Sequence, residues 1–293
     1  MSKVVVFGGS GFLGSHVADV LTEREHIVSI YDINTSNYIQ EDQKMLVGDI
    51  LNGCFVNKVV ERADIVYNFA GLADLDESHK KPFETIEKNI IGNSIILEAC
   101  RKANVKRYIF ASTVYVYSDS GSFYRVSKLA SEMIIKKYHE EFGIPYTILR
   151  YGSLYGPRSQ ENNFIYKLLK EALNEQKIVR KGDGEDIREY IHVRDAAKLS
   201  VDILDDKYKN QCINITGIES IKIRDLFVMV KEIIGGDIKF VYKDPEKNHH
   251  YRITPYKFNA LMPDEGKKLI SDCYHDFGQG LIEMLCEIKK VSK

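Results

Sequence analysis

A glycine-rich turn close to the start of the chain most constrains how this sequence can fold. Residues 3–7 are apolar and β-branched, which is typical of a buried parallel strand, and residues 15–21 have apolar side chains at helical spacing. Between them, residues 7–14 include four glycines. Strand, glycine turn and helix in this order predict a Rossmann β–α unit whose helix N-terminus binds the phosphates of a dinucleotide.

The glycines of this turn have distinct predicted roles. Gly8 permits the tight turn, Gly11 lets a pyrophosphate approach the backbone, and Gly14 lets the helix pack close to the strand. We therefore expect the phosphates of the cofactor to lie against Gly8, Gly11, Phe12, Leu13 and Gly14.

A carboxylate follows the second predicted strand, residues 27–31. Asp32 lies 18 residues beyond Gly14, where a dinucleotide fold needs an acid to accept hydrogen bonds from the adenosine ribose hydroxyls. Residues 33–38 contain no Lys or Arg that would neutralise a 2′-phosphate, so the sequence favours NAD over NADP. The alternative is that the glycines and the acid only terminate secondary-structure elements. That alternative does not account for strand, helix and acid occurring together.

Composition argues against several other classes of protein. The 293 residues suffice for one large or two modest domains, and 44% hydrophobic with 28% charged residues is ordinary for a globular protein. A formal net charge of −1 argues against nucleic-acid binding, and no membrane-spanning run or signal peptide is evident. The five cysteines are scattered without C-x-x-C spacing, which indicates reduced thiols, a cytoplasmic location and no metal site.

Predicted strands and helices alternate through the first half of the chain. Further strands are expected at residues 45–47, 65–71, 108–113 and 147–149, and helices at 56–62, 83–103 and 127–142. Such alternation predicts an α/β fold with a doubly wound parallel sheet, in which ligands bind beyond the carboxyl ends of the strands. Asp49, Ile50 and Ala70 lie at strand ends and join the predicted cofactor site.

The alternation changes near the middle of the chain, where a second lobe is expected to begin. Residues 1–157 form the predicted dinucleotide-binding domain, and residues 188–216 return to it. Residues 158–187 and 217–293 are assigned to a smaller C-terminal lobe that binds the substrate.

A tyrosine and a lysine are placed to act as an acid–base pair. Tyr124 and Lys128 are four residues apart, so a helix presents both side chains on one face, shortly after the strand that ends at Ser112 and Thr113. Tyrosine has a pKa near 10. Lowering that pKa by about 3 units requires roughly 4 kcal/mol, which an adjacent ammonium and a nicotinium ring could supply.

These motifs together resemble those of a known family, the extended short-chain dehydrogenase/reductases. The matching motifs are the glycine turn, Asp32, Gly48-Asp49, Ser112-Thr113, Tyr124-x-x-x-Lys128, Leu149-Arg150-Tyr151 and the segment from Gly182 to Asp195. More narrowly, the chain is similar to the NAD-dependent nucleotide-sugar epimerases and dehydratases. The resemblance implies NAD as cofactor and a nucleotide-diphosphate sugar as substrate.

The resemblance also implies the catalytic residues. Tyr124 would be the acid–base, and Lys128 would bind the nicotinamide ribose and lower the pKa of Tyr124. Thr113 would hydrogen-bond the sugar hydroxyl that is oxidised, with Ser112 as the near alternative.

Three further residues are implied on the substrate side of the site. Arg188 would face the pyrophosphate, a role that suits bidentate guanidinium chemistry, unless it forms a surface ion pair with Glu185 or Asp186. Ser153 and Tyr115 complete the implied substrate site, and Tyr115 is either a second acid–base or a packing residue.

Two departures from the family pattern bear on the reaction. Only ten residues separate Thr113 from Tyr124, where the family usually has a longer loop. We therefore expect either a more open site or substrate contacts from elsewhere in the chain. The family's 4,6-dehydratases place acids directly after the Ser/Thr, but Val114 can neither donate nor accept a proton. This predicts that the enzyme is not a 4,6-dehydratase.

The sequence thus predicts an epimerase that oxidises a hydroxyl of a nucleotide-diphosphate sugar at C4 and returns the hydride to the opposite face. A net nucleotide-sugar dehydrogenase or reductase is the alternative among enzymes, and a dinucleotide-sensing regulator is the alternative outside them. Helices 83–103 and 127–142 carry apolar residues beyond one stripe. Because the equivalent helices pair across a two-fold axis in the resembling family, we expect a homodimer.

Overall fold

The computed structural model describes residues 1–243, 250–255 and 266–291 and contains an eight-stranded parallel sheet. Numbered along the whole chain, its strands are β1 Lys3–Phe7, β2 Ile27–Asp32, β3 Gln43–Val47, β4 Ile65–Asn68, β5 Arg107–Thr113, β6 Tyr146–Tyr151, β10 Gln211–Ile215 and β13 Lys267–Lys268. They lie in the order β13-β10-β6-β5-β4-β1-β2-β3. The predicted doubly wound parallel sheet is confirmed.

Helices cover both faces of this sheet because its inner strands are apolar on both sides. The helices are α1 Phe12–Glu23 and α8 Val193–Asp202 on one face, and α2 Gly53–Val60, α5 Asn93–Ala103 and α6 Ser122–Phe142 on the other. The alternation of side chains along a strand explains the two cores. On β1, Val4 and Val6 pack towards α1 and α8, whereas Val5 and Phe7 pack towards α2 and α5.

The region predicted as one helix over 83–103 is not a regular α-helix. Helix α3 Leu75–Lys80 is followed by α4 Pro82–Ile86, a π-helical segment Glu87–Gly92, and then α5. The segment packs closely, since a Cβ on Gly92 would lie 2.5 Å from Ile50 Cδ1. Such a break depends on tertiary contacts, which hydrophobic periodicity does not report.

The smaller lobe has its own core, built from two short sheets and three helices. Strands β7 Ser153–Tyr155, β9 Ile187–His192 and β11 Ser220–Lys222 form one sheet, and β8 Lys177–Lys181 and β12 Lys239–Lys243 form the other. Its helices are α7 Phe164–Glu175, α9 Ile223–Ile234 and α10 Phe277–Val291. Leu169, Phe227 and Met284, one from each helix, meet in this core.

The chain passes between the two parts more often than the predicted domain boundaries imply. Within residues 188–216, β9 belongs to a sheet of the smaller lobe, whereas α8 and β10 belong to the main fold. Residues 217–293 also do not stay in the smaller lobe, because Lys267–Lys268 pair with β10 as an edge strand of the main sheet. Within the described residues, no helix is both long and apolar enough to cross a membrane.

Candidate active site

The glycine turn between β1 and α1 is shaped so that the phosphates of a ligand can approach its backbone closely. Gly8 has φ +75°, and a Cβ there would lie 2.6 Å from Ala70 N. A Cβ on Gly14 would lie 2.2 Å from Gly8 O, so any side chain would separate α1 from the turn. Helix α1, whose first residues are Phe12 and Leu13, begins after Gly11 without a side-chain cap. Its first turn therefore suits a pyrophosphate.

Two acids sit at the carboxyl edge of the sheet beside this turn. Asp32 ends β2, where Oδ2 accepts a hydrogen bond from Ser10 N at 3.0 Å and Oδ1 accepts one from Asn34 N at 3.1 Å. Asp49 follows β3, and its Oδ1 accepts from Leu51 N at 2.9 Å. Each carboxylate oxygen retains a second lone pair, so Asp32 keeps acceptor capacity for ribose hydroxyls. The neighbouring Ile50 is buried.

The three predicted catalytic side chains come together at the end of β5. The Thr113 side chain lies close enough to the Tyr124 hydroxyl to oppose the rise of its pKa, across the short connection that the sequence marks as unusual. Lys128, one turn further along α6, donates from Nζ to Ala111 O at 2.7 Å, and its ammonium lies 5.9 Å from the centre of the Tyr124 ring. Helix α6 begins at Ser122, earlier than the predicted residue 127, so Tyr124 lies in its first turn.

Burial moves the pKa values of this pair apart. It raises the pKa of Tyr124 to about 12, although the interaction with the Thr113 side chain opposes the rise. It lowers the pKa of Lys128 to about 8, and the negative charge of Glu132 opposes that fall. At neutral pH Lys128 is therefore a cation beside a neutral phenol. Further positive charge against the ring would be needed before Tyr124 could act as a base.

The structure separates the two hydroxyl candidates that the sequence leaves open. Ser112 Oγ donates to Glu132 Oε1 at 2.6 Å and is buried behind the sheet edge. Thr113, the next residue of the strand, projects to the opposite side, and its side chain acts on the pKa of Tyr124. This geometry favours Thr113 as the hydroxyl that acts with Tyr124.

A buried amide on the π-helical segment joins the two halves of the site. Sequence alone does not distinguish a polar helper at Asn89 from an exposed amide, but the side chain is 2% exposed. Its Oδ1 accepts from Leu72 N at 2.7 Å, and its Nδ2 donates to Leu72 O and to Ser127 Oγ at 3.0 and 2.9 Å. Asn89 thus ties the turn after β4, which contains Ala70, to the helix that carries Tyr124.

Tyr115 lies in the site and has a partner that the sequence analysis missed. Its hydroxyl is 2.7 Å from His250 Nδ1, and its ring centre is 6.3 Å from that of Tyr124 and 4.5 Å from that of Tyr251. Burial raises the pKa of Tyr115 well above its usual value, so it is a neutral phenol. His250 and Tyr251 come from a polar stretch without any motif, which left no local signal by which to find them.

Arg188 lies next to this aromatic group in a buried position. Its guanidinium stacks on the Tyr251 ring at 4.4 Å, and Nη1 donates to the carbonyls of Ile187 and Arg252 at 3.0 and 3.1 Å. Its Nη2 lies 3.7 Å from Asp186 Oδ2, so the ion pair considered from the sequence is present but is not a surface pair. Ser153 begins β7, where it pairs with Tyr190 rather than contacting this group.

Comparison with known proteins agrees with this geometry. The model of the NAD dependent epimerase/dehydratase family matches residues 4–216. The chain belongs to this family.

Individual members of the family match along nearly the whole chain. A putative UDP-glucose 4-epimerase of Methanocaldococcus jannaschii is 30% identical over 271 residues, covering 85% of this chain and 88% of the relative. A UDP-N-acetyl-α-D-glucosaminuronate decarboxylase of Bacillus cytotoxicus is 29% identical over 285 residues, covering 88% and 87%. The structure of a Thermotoga maritima UDP-glucose 4-epimerase with UDP-glucose superposes with a TM-score of 0.87 at 25% identity, covering 99% and 100%. Dehydratases of the family also match, so the family alone does not decide the reaction.

Proposed function

We propose that this protein is an NAD-dependent 4-epimerase of a nucleotide-diphosphate sugar. The observation that carries the proposal is the juxtaposition of Thr113 and Tyr124 with Lys128 one turn away, at the same sheet edge as the glycine turn. This arrangement combines a proton acceptor, a hydroxyl that positions the substrate and a cation beside a dinucleotide site. A regulator that only sensed the dinucleotide would have no use for the Thr113–Tyr124 pair.

Each of these residues has one part in the proposed reaction. NAD supplies the hydride acceptor and donor when bound. The residues proposed to hold it are Gly8, Gly11, Phe12, Leu13, Gly14, Asp32, Asp49, Ile50, Ala70 and Lys128. Thr113 orients the C4 hydroxyl of the sugar, and the oxygen of Tyr124 accepts its proton as the C4 hydrogen leaves. Tyr124 returns the proton when hydrogen is delivered to the other face. The ammonium of Lys128 favours the phenolate of Tyr124 in the first step.

The proposed substrate is a UDP-hexose or a related nucleotide sugar, since the relatives named above act on UDP sugars. Arg188 is the proposed contact for its pyrophosphate, with Ser153 and Tyr115 on the remaining substrate surface. To meet the phosphates, Arg188 would exchange its 3.7 Å contact with Asp186 for a stronger charge-assisted pair. The shape of the wall formed by Tyr115 and Tyr251 suits the apolar face of a sugar ring.

We also propose that this enzyme does not remove water from its sugar substrate. Val114 is buried and fills the position at which dehydratases carry an acid, so no group there can protonate a departing hydroxyl. Net oxidation or reduction is the second candidate function, because Tyr124 and Lys128 suit hydride removal without its return.

We also propose a homodimer in the cytoplasm. Ile96, Leu97 and Ile135 are buried against the sheet and do not form an outer face. Other apolar side chains of these helices are exposed, namely Phe83, Ile86, Ile91, Phe123, Val126 and Met133. Phe83 is 75% exposed and Met133 65% exposed, which is costly for an unpaired helix surface. Light scattering at micromolar concentration should give a dimer mass, and a monomer mass would contradict the proposal.

The reaction is tested by incubating the purified protein with a panel of nucleotide sugars. We expect a product of unchanged mass and inverted configuration, with the near-ultraviolet absorbance of the protein returning to its starting value. A lasting rise in absorbance without an isomeric product would favour net oxidation. A product lighter by one water would overturn the exclusion of dehydration.

A further inference from the structure

A fully buried ion pair lies directly behind the catalytic residues. Arg150 on β6 is 0% exposed and Glu132 on α6 is 1% exposed. Arg150 donates to Glu132 from Nε at 2.9 Å and from Nη2 at 2.5 Å, which is a bidentate pair. Nη1 of Arg150 donates to Tyr117 OH at 2.6 Å.

This pair is joined to two of the elements that carry the site. Glu132 lies one turn after Lys128 on α6, and its Oε1 also accepts from Ser112, the residue before Thr113. Ser112 is the register partner of Arg150 in the sheet. Helix α6 is therefore bonded to the end of β5 at the level where Thr113 meets Tyr124.

A contribution to the stability of the fold does not by itself explain why two charges are buried at this position. Both ions lose their hydration on burial, and well-packed apolar residues of similar volume often serve a fold equally well or better. The neighbouring Lys128 supplies a different reason. Its ammonium is buried too, and burial alone would tend to neutralise it. A carboxylate one turn away opposes that tendency, and Arg150 in turn holds the carboxylate in place.

We infer that Glu132 is a positioning residue of the reaction: held by Arg150 and Ser112, it places a negative charge one turn from Lys128 and keeps α6 in register with Thr113. The inference rests on the proposed function, in which the cation of Lys128 favours the phenolate of Tyr124. It assigns an electrostatic role to a residue that neither contacts the substrate site nor belongs to the catalytic motif.

The test is Glu132→Gln, which keeps the shape and removes the charge. With NAD bound, the nicotinium ring would lower the pKa of Tyr124 into the range in which Lys128 is a cation. In that range, loss of the carboxylate lowers the pKa of Lys128, removes the cation beside Tyr124 at a lower pH and so raises the pKa of Tyr124. We expect the ascending limb of the kcat profile to move to higher pH. A move of one unit would lower kcat at neutral pH about tenfold, while KM stays near the wild-type value.

A second variant separates this role from a loss of folding. The double variant Glu132→Gln with Arg150→Met leaves neither member of the ion pair as an uncompensated buried charge and should recover thermal stability. Its pH profile should remain shifted. The matched control is Asp19→Asn on α1, which covers the other face of the sheet. This substitution breaks the 2.7 Å ion pair of Asp19 with Arg158. This control should lower the thermal stability without moving the pH profile of kcat.

A spectroscopic readout does not depend on turnover. The tyrosinate absorbance difference, measured with NAD bound, between each background and the same background carrying Tyr124→Phe reports the titration of Tyr124 alone. A higher pKa of Tyr124 in both Glu132 variants supports the inference, and an unchanged pKa overturns it even if stability falls. If wild type converts no nucleotide sugar, the proposed function fails, whereas this titration still decides whether Glu132 controls the pair.

Discussion

The proposed cofactor side and the proposed substrate side of the candidate active site are built in different ways. On the cofactor side, the glycine turn, Asp32 and Lys128 are held by backbone geometry and by elements of one parallel sheet. On the substrate side, Tyr115 and Arg188 are joined by rings and side chains, and their common neighbour Tyr251 comes from a separate segment. Because the cofactor side is held by backbone geometry, it tolerates almost no change in shape. The substrate side is built from side chains and can be altered one side chain at a time.

This difference suits a family with one cofactor and several substrates. Every member has to bring the same hydride chemistry to the same edge of the sheet, but each has to fit its own sugar. In this chain the connection from Thr113 to Tyr124 is short, and His250 and Tyr251 pack against Tyr115 just beyond Thr113. The residues that pack beside this short connection therefore come from far along the sequence.

The largest effect is expected at the junction of the two sides. Tyr124→Phe removes the hydroxyl that interacts with the Thr113 side chain and keeps the ring. Because this hydroxyl is the proposed acid–base, kcat should fall about 10²- to 10⁴-fold. Bound NAD should be retained, since the ring does not hold the glycine turn. Steady-state rates and the cofactor content of the purified protein check both outcomes. Turnover at the wild-type rate would show that another group accepts the proton.

An intermediate effect is expected on the cofactor side alone. Asp32→Ala removes a charged acceptor for the ribose hydroxyls and leaves Ser10 N without its 3.0 Å partner. We expect NAD affinity to fall about tenfold or more, with weaker discrimination against NADP because the repulsion of a 2′-phosphate is lost. Calorimetric titration of both cofactors measures this change. Equal NAD affinity in wild type and variant would remove Asp32 from the site.

The smallest effect is expected on the substrate side. His250→Gln weakens a single neutral hydrogen bond, the 2.7 Å contact with Tyr115, which typically contributes about 1 kcal/mol. KM for the nucleotide sugar should rise about fivefold, with kcat and NAD affinity nearly unchanged. Tyr115→Phe is the matched control and should give a similar rise. A large fall in kcat in both variants would instead make this pair a second acid–base, the alternative that the sequence leaves open.

The sequence by itself determined the parts of this protein that are encoded locally. Strand, glycine turn and helix are consecutive, so their pattern identifies the parallel sheet and the place of Gly8, Gly14 and Asp32 without any knowledge of distant residues. Tyr124 and Lys128 lie one turn apart, which likewise brings them onto one face from spacing alone.

Only the tertiary structure decided which distant residues meet. The hydrogen bond of Ser112 with Glu132 depends on how α6 packs against β5, and the contact of Tyr115 with His250 spans 135 residues. The entry of Lys267–Lys268 into the main sheet is of the same kind. Periodicity and motifs report each residue's immediate neighbours along the chain, whereas these contacts depend on how separate elements pack. The partners of a buried side chain are therefore settled only when the whole fold is in place.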